Sequence, residues 1–367
     1  MNHVHLRSVA AIAALLLLIA ACGDAGADDA QAADGDDDTT GTETQAADEE
    51  ADEPAADGND ADAADDAADE PEETGQPTAA DDWPEQLVFA AVPAEGQEAL
   101  VESFQPMLDA VADLVGIEIE LISATDYAGV IEAIIAERAE LAFFGPFSYV
   151  VATIGGADIS PIGAVIDAPG EEPGYQSYLV ARADNDEISS IDDVAGRNVC
   201  LVDPASTSGG LFPAAMLLDA GLDPDTDLQA TYAGAHDAAV LAVMSGDCDA
   251  GFAFDTMVTR VLPQAGEIEE GDVKVVAESE IIPGSPIAMG NWLPEALKDE
   301  LRAAFQTANA EYLAAEGYCD DPVEDDDGRT VCPITDENRY GLTPVDDAYY
   351  DGIRLVCELT GAAACEP

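Results

Sequence analysis

From residue 87 to residue 279, short apolar runs alternate with segments of helical spacing, and the alternation runs through twice. No other feature restricts the fold as much, because buried strands separated by amphipathic helices pack in few ways. In the first half, LVFAAVP (87–93), IEIELISA (117–124), LAFFGP (141–146) and ISPIGAVI (159–166) read as strands. Between them, residues 99–115 line up Leu100, Phe104, Met107, Leu108, Val111 and Leu114 on one side of a helix. A second helix covers 127–138, with Thr125 and Asp126 as capping candidates, and a third covers 148–156. This order predicts a mostly parallel sheet with helices on both faces.

The second half repeats the pattern. Strands are expected at 175–185, 198–204, 228–234, 248–255 and 273–279, and helices at 190–195, 210–220, 237–245 and 257–262. IPGSPIAMG (282–290) turns back, a long helix follows over 294–316, and another over 349–359. Two α/β halves with chain crossings near 170–180 and 280–290 imply two lobes on a hinge: 83–174 with 283–367, and 175–282. Ligands of such sheets bind beyond the carboxyl ends of the strands. The loops placed there are VPAEG, SATDY, FGPFSY, DPASTSGG, AGAHD, AFDTM and IPGSP.

Residues 1–22 read as an export signal. Arg7 precedes the 13-residue apolar run VAAIAALLLLIAA, which is too short to span ~30 Å of bilayer hydrocarbon. The run ends Ile19-Ala20-Ala21-Cys22-Gly23. That ending resembles a bacterial lipobox, which implies lipidation at Cys22 and a chain tethered to the membrane's extracytoplasmic face. Residues 23–82 hold 24 Asp+Glu, no Lys or Arg and no aromatic residue. Such a segment buries too little to offset its ordering entropy, so a disordered acidic linker is expected.

The remainder holds 54 acidic and 10 basic residues, only two of them lysine. This balance fits a hydrated acidic surface suited to high salt and excludes nucleic-acid binding, which needs a basic face. Six cysteines follow Cys22, an even number in an exported chain. Cys319 with Cys332 and Cys357 with Cys365 would close short loops, and Cys200 with Cys248 would join neighbouring strands. No CxxC occurs and the three histidines stand at 3, 5 and 236, so neither a metal site nor a cofactor is expected. No GxxxxGK[ST], GxSxG or HExxH motif appears.

DPASTSGG (203–210) carries three hydroxyls and two glycines where a strand turns into a helix. Backbone N–H groups point outward there and the helix adds its positive end. The same residues also suit a simple N-cap. His236 starts another helix and can donate a hydrogen bond; a bound dianion would favour its protonated form.

TDYAGVIEA, FGPFSYVVA, YQSYLVA, DPASTSGGLFPAAML, HDAAVLAVMSGDCDAGFAFD and IIPGSPIA occur in this order between residues 85 and 317. Together they resemble the substrate-binding proteins of ABC transporters for phosphate, phosphite and phosphonates. The resemblance implies a two-lobed venus-flytrap α/β fold of the type II periplasmic-binding-protein kind, with no catalytic chemistry. It also implies a monomer that captures a small phosphorus oxyanion and delivers it to permease subunits. A sensory receptor for the same anions is the alternative; an extracellular phosphatase ranks last, lacking a metal cluster or catalytic dyad.

The ligand positions carried over by resemblance are Tyr127, Tyr149, Ser206, Thr207, Ser208 and His236. Asp255 lies near a position where some members direct an acid at the ligand; a helix cap is the other reading. Either tyrosine also suits plain packing. Where aminophosphonate-binding members resemble IPGDP, this chain has Ser285, so a ligand amine loses a partner.

Overall fold

The computed structural model describes residues 83–320, 322–324, 328–332 and 340–365. The expected signal, Cys22 and the acidic linker lie outside the described residues. The chain enters β1 (Gln86–Ala91) and alternates through α1 (Gln97–Val115), β2 (Glu118–Ser123), α2 (Tyr127–Ile135), β3 (Leu141–Phe143), α3 (Pro146–Ile154) and β4 (Ile159–Ile166). Along α1, Leu100, Phe104, Met107, Leu108 and Val111 are buried as their spacing predicts, while Leu114 is exposed. The helix stops at Gly116, whose φ of 78° lets its N–H return to the Ala112 carbonyl.

The chain then crosses through β5 (Gly174–Tyr175) into β6 (Ser177–Arg182), β7 (Asn198–Leu201), α4 (Phe212–Asp219), β8 (Gln229–Tyr232), α5 (His236–Ser245), β9 (Ala250–Phe254), α6 (Leu262–Ala265) and β10 (Val273–Glu278). It returns through β11 (Ile282–Pro283), which pairs antiparallel with β5. After β12 (Pro286–Gly290) come α7 (Glu295–Thr307), α8 (Ala310–Glu316), the small β13 (Val323–Glu324) and β14 (Thr330–Val331), β15 (Gly341–Thr343) and α9 (Asp351–Thr360).

Two sheets result, one per lobe: a six-stranded sheet in the order β15-β4-β12-β3-β1-β2 and a five-stranded sheet in the order β10-β6-β9-β7-β8. The expectation of mostly parallel sheets is corrected, because both are mixed. β1 runs parallel to β2 and β3, but β12 runs against β3 and β4. β7 runs parallel to β8 and β9, but β6 runs against β9 and β10. β6 and β12 are the first full strands after each crossing, and each enters its sheet reversed.

Period-two burial sorts the second sheet cleanly. Leu179, Ala181, Val199, Leu201, Ala250 and Phe252 face a core with Leu217 of α4. The alternate residues Val180, Cys200, Val202 and Ala253 belong with Ala239, Val240 and Val243 of α5 to a core continuous with that of the first lobe, which Phe254 joins at the end of β9.

Three further differences from expectation have local causes. The long helix expected over 294–316 breaks between α7 and α8, where the Asn309 side chain caps α8 by accepting from the Tyr312 N–H at 3.0 Å. The helices expected at 210–220 and 257–262 each begin with a wide π-type turn, Thr207–Leu211 and Met257–Val261. All three expected disulfides are present, Cys200–Cys248, Cys319–Cys332 and Cys357–Cys365. The first closes 48 residues, worth about 4 kcal/mol by loop entropy. Near the crossings, Tyr349 donates to the Pro173 carbonyl at 2.5 Å and Tyr350 to the Gly284 carbonyl at 3.1 Å.

Candidate functional site

Four helix N-termini meet across the cleft, and each is completed by the opposite lobe. Phe147, in the first turn of α3, donates its N–H to Thr207 Oγ1 at 2.8 Å. Gly96, the N-cap of α1, donates its N–H to Asp237 Oδ2 at 3.1 Å. The Asp203 carboxylate accepts from the backbone N–H of Tyr127, the first residue of α2. In the other direction, the His236 N–H that opens α5 donates to the Ala94 carbonyl at 2.9 Å. The partial positive ends of these four helices therefore lie at the cleft, with no Lys or Arg among the four contacts.

The anion loop forms because Gly209 and Gly210 let it lie against the end of β7. A Cβ on Gly209 would stand 2.2 Å from Val202 Cγ2, and one on Gly210 would stand 2.3 Å from the Asp203 carbonyl. Ser206, Thr207 and Ser208 are each at most 2% exposed. The Gly209 N–H, a candidate anion donor by sequence, instead donates to Ser206 Oγ at 3.1 Å. The Ser208 carbonyl is held by Ser177 Oγ at 2.6 Å, beside the crossing strands.

His236 stands behind Ser206. Its Nδ1 accepts from the Phe254 N–H at 3.2 Å, so its proton sits on Nε2 and donates to Ser206 Oγ at 3.3 Å. Burial pushes its pKa down to about 3, which keeps the imidazole neutral. In this ligand-free arrangement Nδ1 is already an acceptor, and a charge would be stranded among buried groups. The lone pairs of Ser206 Oγ are both engaged, which leaves its own proton to donate outward. The Phe147 N–H constrains Thr207 Oγ1 in the same sense.

The remaining candidates separate. Tyr127 is buried at the start of α2, facing Asp203. The Tyr149 hydroxyl donates to Asp347 Oδ1 at 2.8 Å, and its ring packs on Tyr350 at 5.0 Å. Burial, with that hydrogen bond, raises its pKa. The Asp255 carboxyl accepts from the N–H of the next residue, Thr256, at 2.9 Å and from the Gln176 N–H, and makes no cap hydrogen bond to the turn that follows; burial raises its pKa. Asp203 is also raised by burial. The structure adds one group: Ser285 Oγ is fully buried and has no hydrogen-bonding partner among the described residues. A buried hydroxyl without a partner is unfavourable unless something else completes it. The sequence marked Ser285 only as a departure from a motif.

Two hinged α/β lobes closing on a cleft of neutral donors define a solute-binding protein of the clamshell class. The sequence model of the family described as "ABC transporter, phosphonate, periplasmic substrate-binding protein" matches residues 89–350, and the chain belongs to that family. It is 44% identical over 299 residues to the "Phosphate-import protein PhnD" of Mycolicibacterium smegmatis, covering 79% of this chain and 91% of the relative. It is 27% identical over 233 residues to the "Phosphonates-binding periplasmic protein" of Escherichia coli, covering 62% and 68%. Among solved structures, PhnD1 of Prochlorococcus marinus in complex with methylphosphonate shares the fold at a TM-score of 0.62 and 18% identity, covering 76% of this chain and 99% of that one. The chain is thus the substrate-binding component of a phosphonate or phosphate ABC transporter, an extracytoplasmic class, and not an enzyme. No helix of the described residues is long and apolar enough to cross a membrane.

Proposed function

We propose that this chain, a monomer lipid-anchored through Cys22, captures phosphate or a comparably small phosphorus oxyanion between its lobes and hands it to the permease subunits of its transporter. The lobes divide as 83–174 with 283–367, and 175–282. The observation that carries this reading is the convergence of helix N-termini with the hydroxyls of Ser206, Thr207 and Ser208, whose acceptor capacity is partly taken up from within the protein. Such a site is rich in donors and takes an anion by neutral hydrogen bonds. Tyr127 walls the cleft, His236 fixes Ser206, and Ser285 adds a hydroxyl where a carboxylate would have met a ligand amine. That residue favours phosphate, phosphite or a small alkylphosphonate over an aminophosphonate. The relative named for phosphate import, matched over 91% of its length, favours phosphate among these. Tyr149 and Asp255 act by holding the cleft walls.

A thermal-shift panel of phosphate, phosphite, hypophosphite, methylphosphonate, aminoethylphosphonate and sulfate, run in high salt for the acidic surface, tests the proposal. Phosphate is expected to raise the melting temperature most and sulfate not at all. No shift from any phosphorus compound would overturn it.

A further inference from the structure

Two helices that meet across the cleft, α1 of one lobe and α5 of the other, lack a side-chain cap at the N-cap position. α1 begins after Gly96 and α5 after Ala235, and neither N-cap makes a side-chain hydrogen bond. Both N-termini are served across the cleft. The Ala94 carbonyl takes the His236 N–H at 2.9 Å, and Asp237 Oδ2 takes the Gly96 N–H at 3.1 Å. Asp237 Oδ1 meanwhile accepts from the N–H of Ala238 in the first turn of its own helix at 2.7 Å. One carboxylate therefore bridges two helix N-termini that belong to opposite lobes. Both of its oxygens are engaged by the protein, so it stands apart from the hydroxyls that face the anion.

We propose that Asp237 is the closing latch of the clamshell, a positioning residue that sets the closed fraction, and through it the anion affinity, by capping α1 and α5 together only when the lobes meet. Opening separates Gly96 from Asp237 and Ala94 from His236, and leaves the Gly96 N–H without its carboxylate partner. Capping side chains and charges at helix N-termini stabilise by modest amounts, and here that stabilisation belongs to the closed form alone. Apparent affinity scales with the fraction of protein in the binding-competent state, so losing the latch weakens binding without changing any contact to the anion. The Arg260–Asp167 ion pair at 3.1 Å and the Phe147–Thr207 hydrogen bond at 2.8 Å are further ties between the lobes, and they are left intact in the test.

The test compares wild type, Asp237→Ala and Asp237→Asn, each as the purified chain. Small-angle X-ray scattering reads lobe opening; stopped-flow and calorimetry with inorganic phosphate read the rates and affinity. Asp237→Ala is expected to enlarge the radius of gyration and to weaken phosphate binding roughly three- to thirty-fold, mainly through faster release. Asp237→Asn keeps an acceptor for Gly96 and should recover most of both. The affinity arm rests on the proposed capture of phosphate, whereas the scattering arm does not. If wild type fails to bind phosphate, that functional reading falls and scattering alone decides the latch. Scattering and affinity in Asp237→Ala equal to wild type would overturn the latch, as would an alanine variant that merely melts earlier with unchanged release.

Discussion

Lowering the pH acts on His236 in a way the structure makes quantitative. The imidazole is buried, its Nδ1 already accepts the Phe254 N–H, and its pKa is pushed from 6.5 down to about 3. The unfolded chain takes up a proton near pH 6.5 that the native chain refuses until about pH 3. A base with a depressed native pKa stabilises fully above its unfolded value, and that contribution is lost as the pH falls. The loss approaches about 1.4 kcal/mol per pH unit below 6.5, or about 2 kcal/mol between pH 8 and pH 5. His236→Gln removes the titration while its amide can still donate to Ser206 and accept from Phe254. Urea unfolding of wild type and His236→Gln, followed by tryptophan fluorescence at fixed high salt, separates this effect from the many carboxylates common to both. Wild type is expected to lose about 2 kcal/mol more than the variant over that interval. Parallel stability curves would refute a neutral, buried His236.

Gly209→Ala places a methyl group 2.2 Å from Val202 Cγ2, so the loop must lift from β7. We expect destabilisation of about 1–3 kcal/mol in thermal melts together with weakened phosphate binding, whereas a variant as stable as wild type would contradict the tight packing of the loop. Ser285→Asp puts a carboxylate at a buried hydroxyl that has no partner among the described residues. Calorimetry should show phosphate affinity falling about tenfold or more, as one like-charge contact implies, while aminoethylphosphonate gains; equal effects on both ligands would remove Ser285 from the cleft.

Much of this architecture is legible before any coordinates, because burial leaves a periodic record. The stripe of α1, the alternation in β2 and the apolar run of β9 each follow from which face meets the core. Strand direction leaves no such record. β12 would show the same buried residues whether it ran with β3 or against it, and its reversal comes from the crossing through β11. The break at Asn309 was legible only as a capping residue inside a helical pattern, a signal weaker than the apolar spacing around it. At the site, the hydroxyls of DPASTSGG stand out by composition. Their acceptor partners do not: the Phe147 N–H lies 60 residues from Thr207, and the Phe254 N–H that fixes the His236 tautomer lies 18 residues away. Tyr149 likewise gave no sign of Asp347, 198 residues distant. Helix N-termini completed from the opposite lobe are a property of the closed fold, and no local motif announces them.

The central claim is that neutral donors at one loop hold a phosphorus oxyanion between the lobes. Titration calorimetry of inorganic phosphate into wild type and into Ser206→Ala with Thr207→Val tests it most directly, with circular dichroism confirming that both are folded. Wild type is expected to give a saturable one-to-one isotherm, and the double variant none at the same concentrations. Equal phosphate affinity in the two proteins would contradict it.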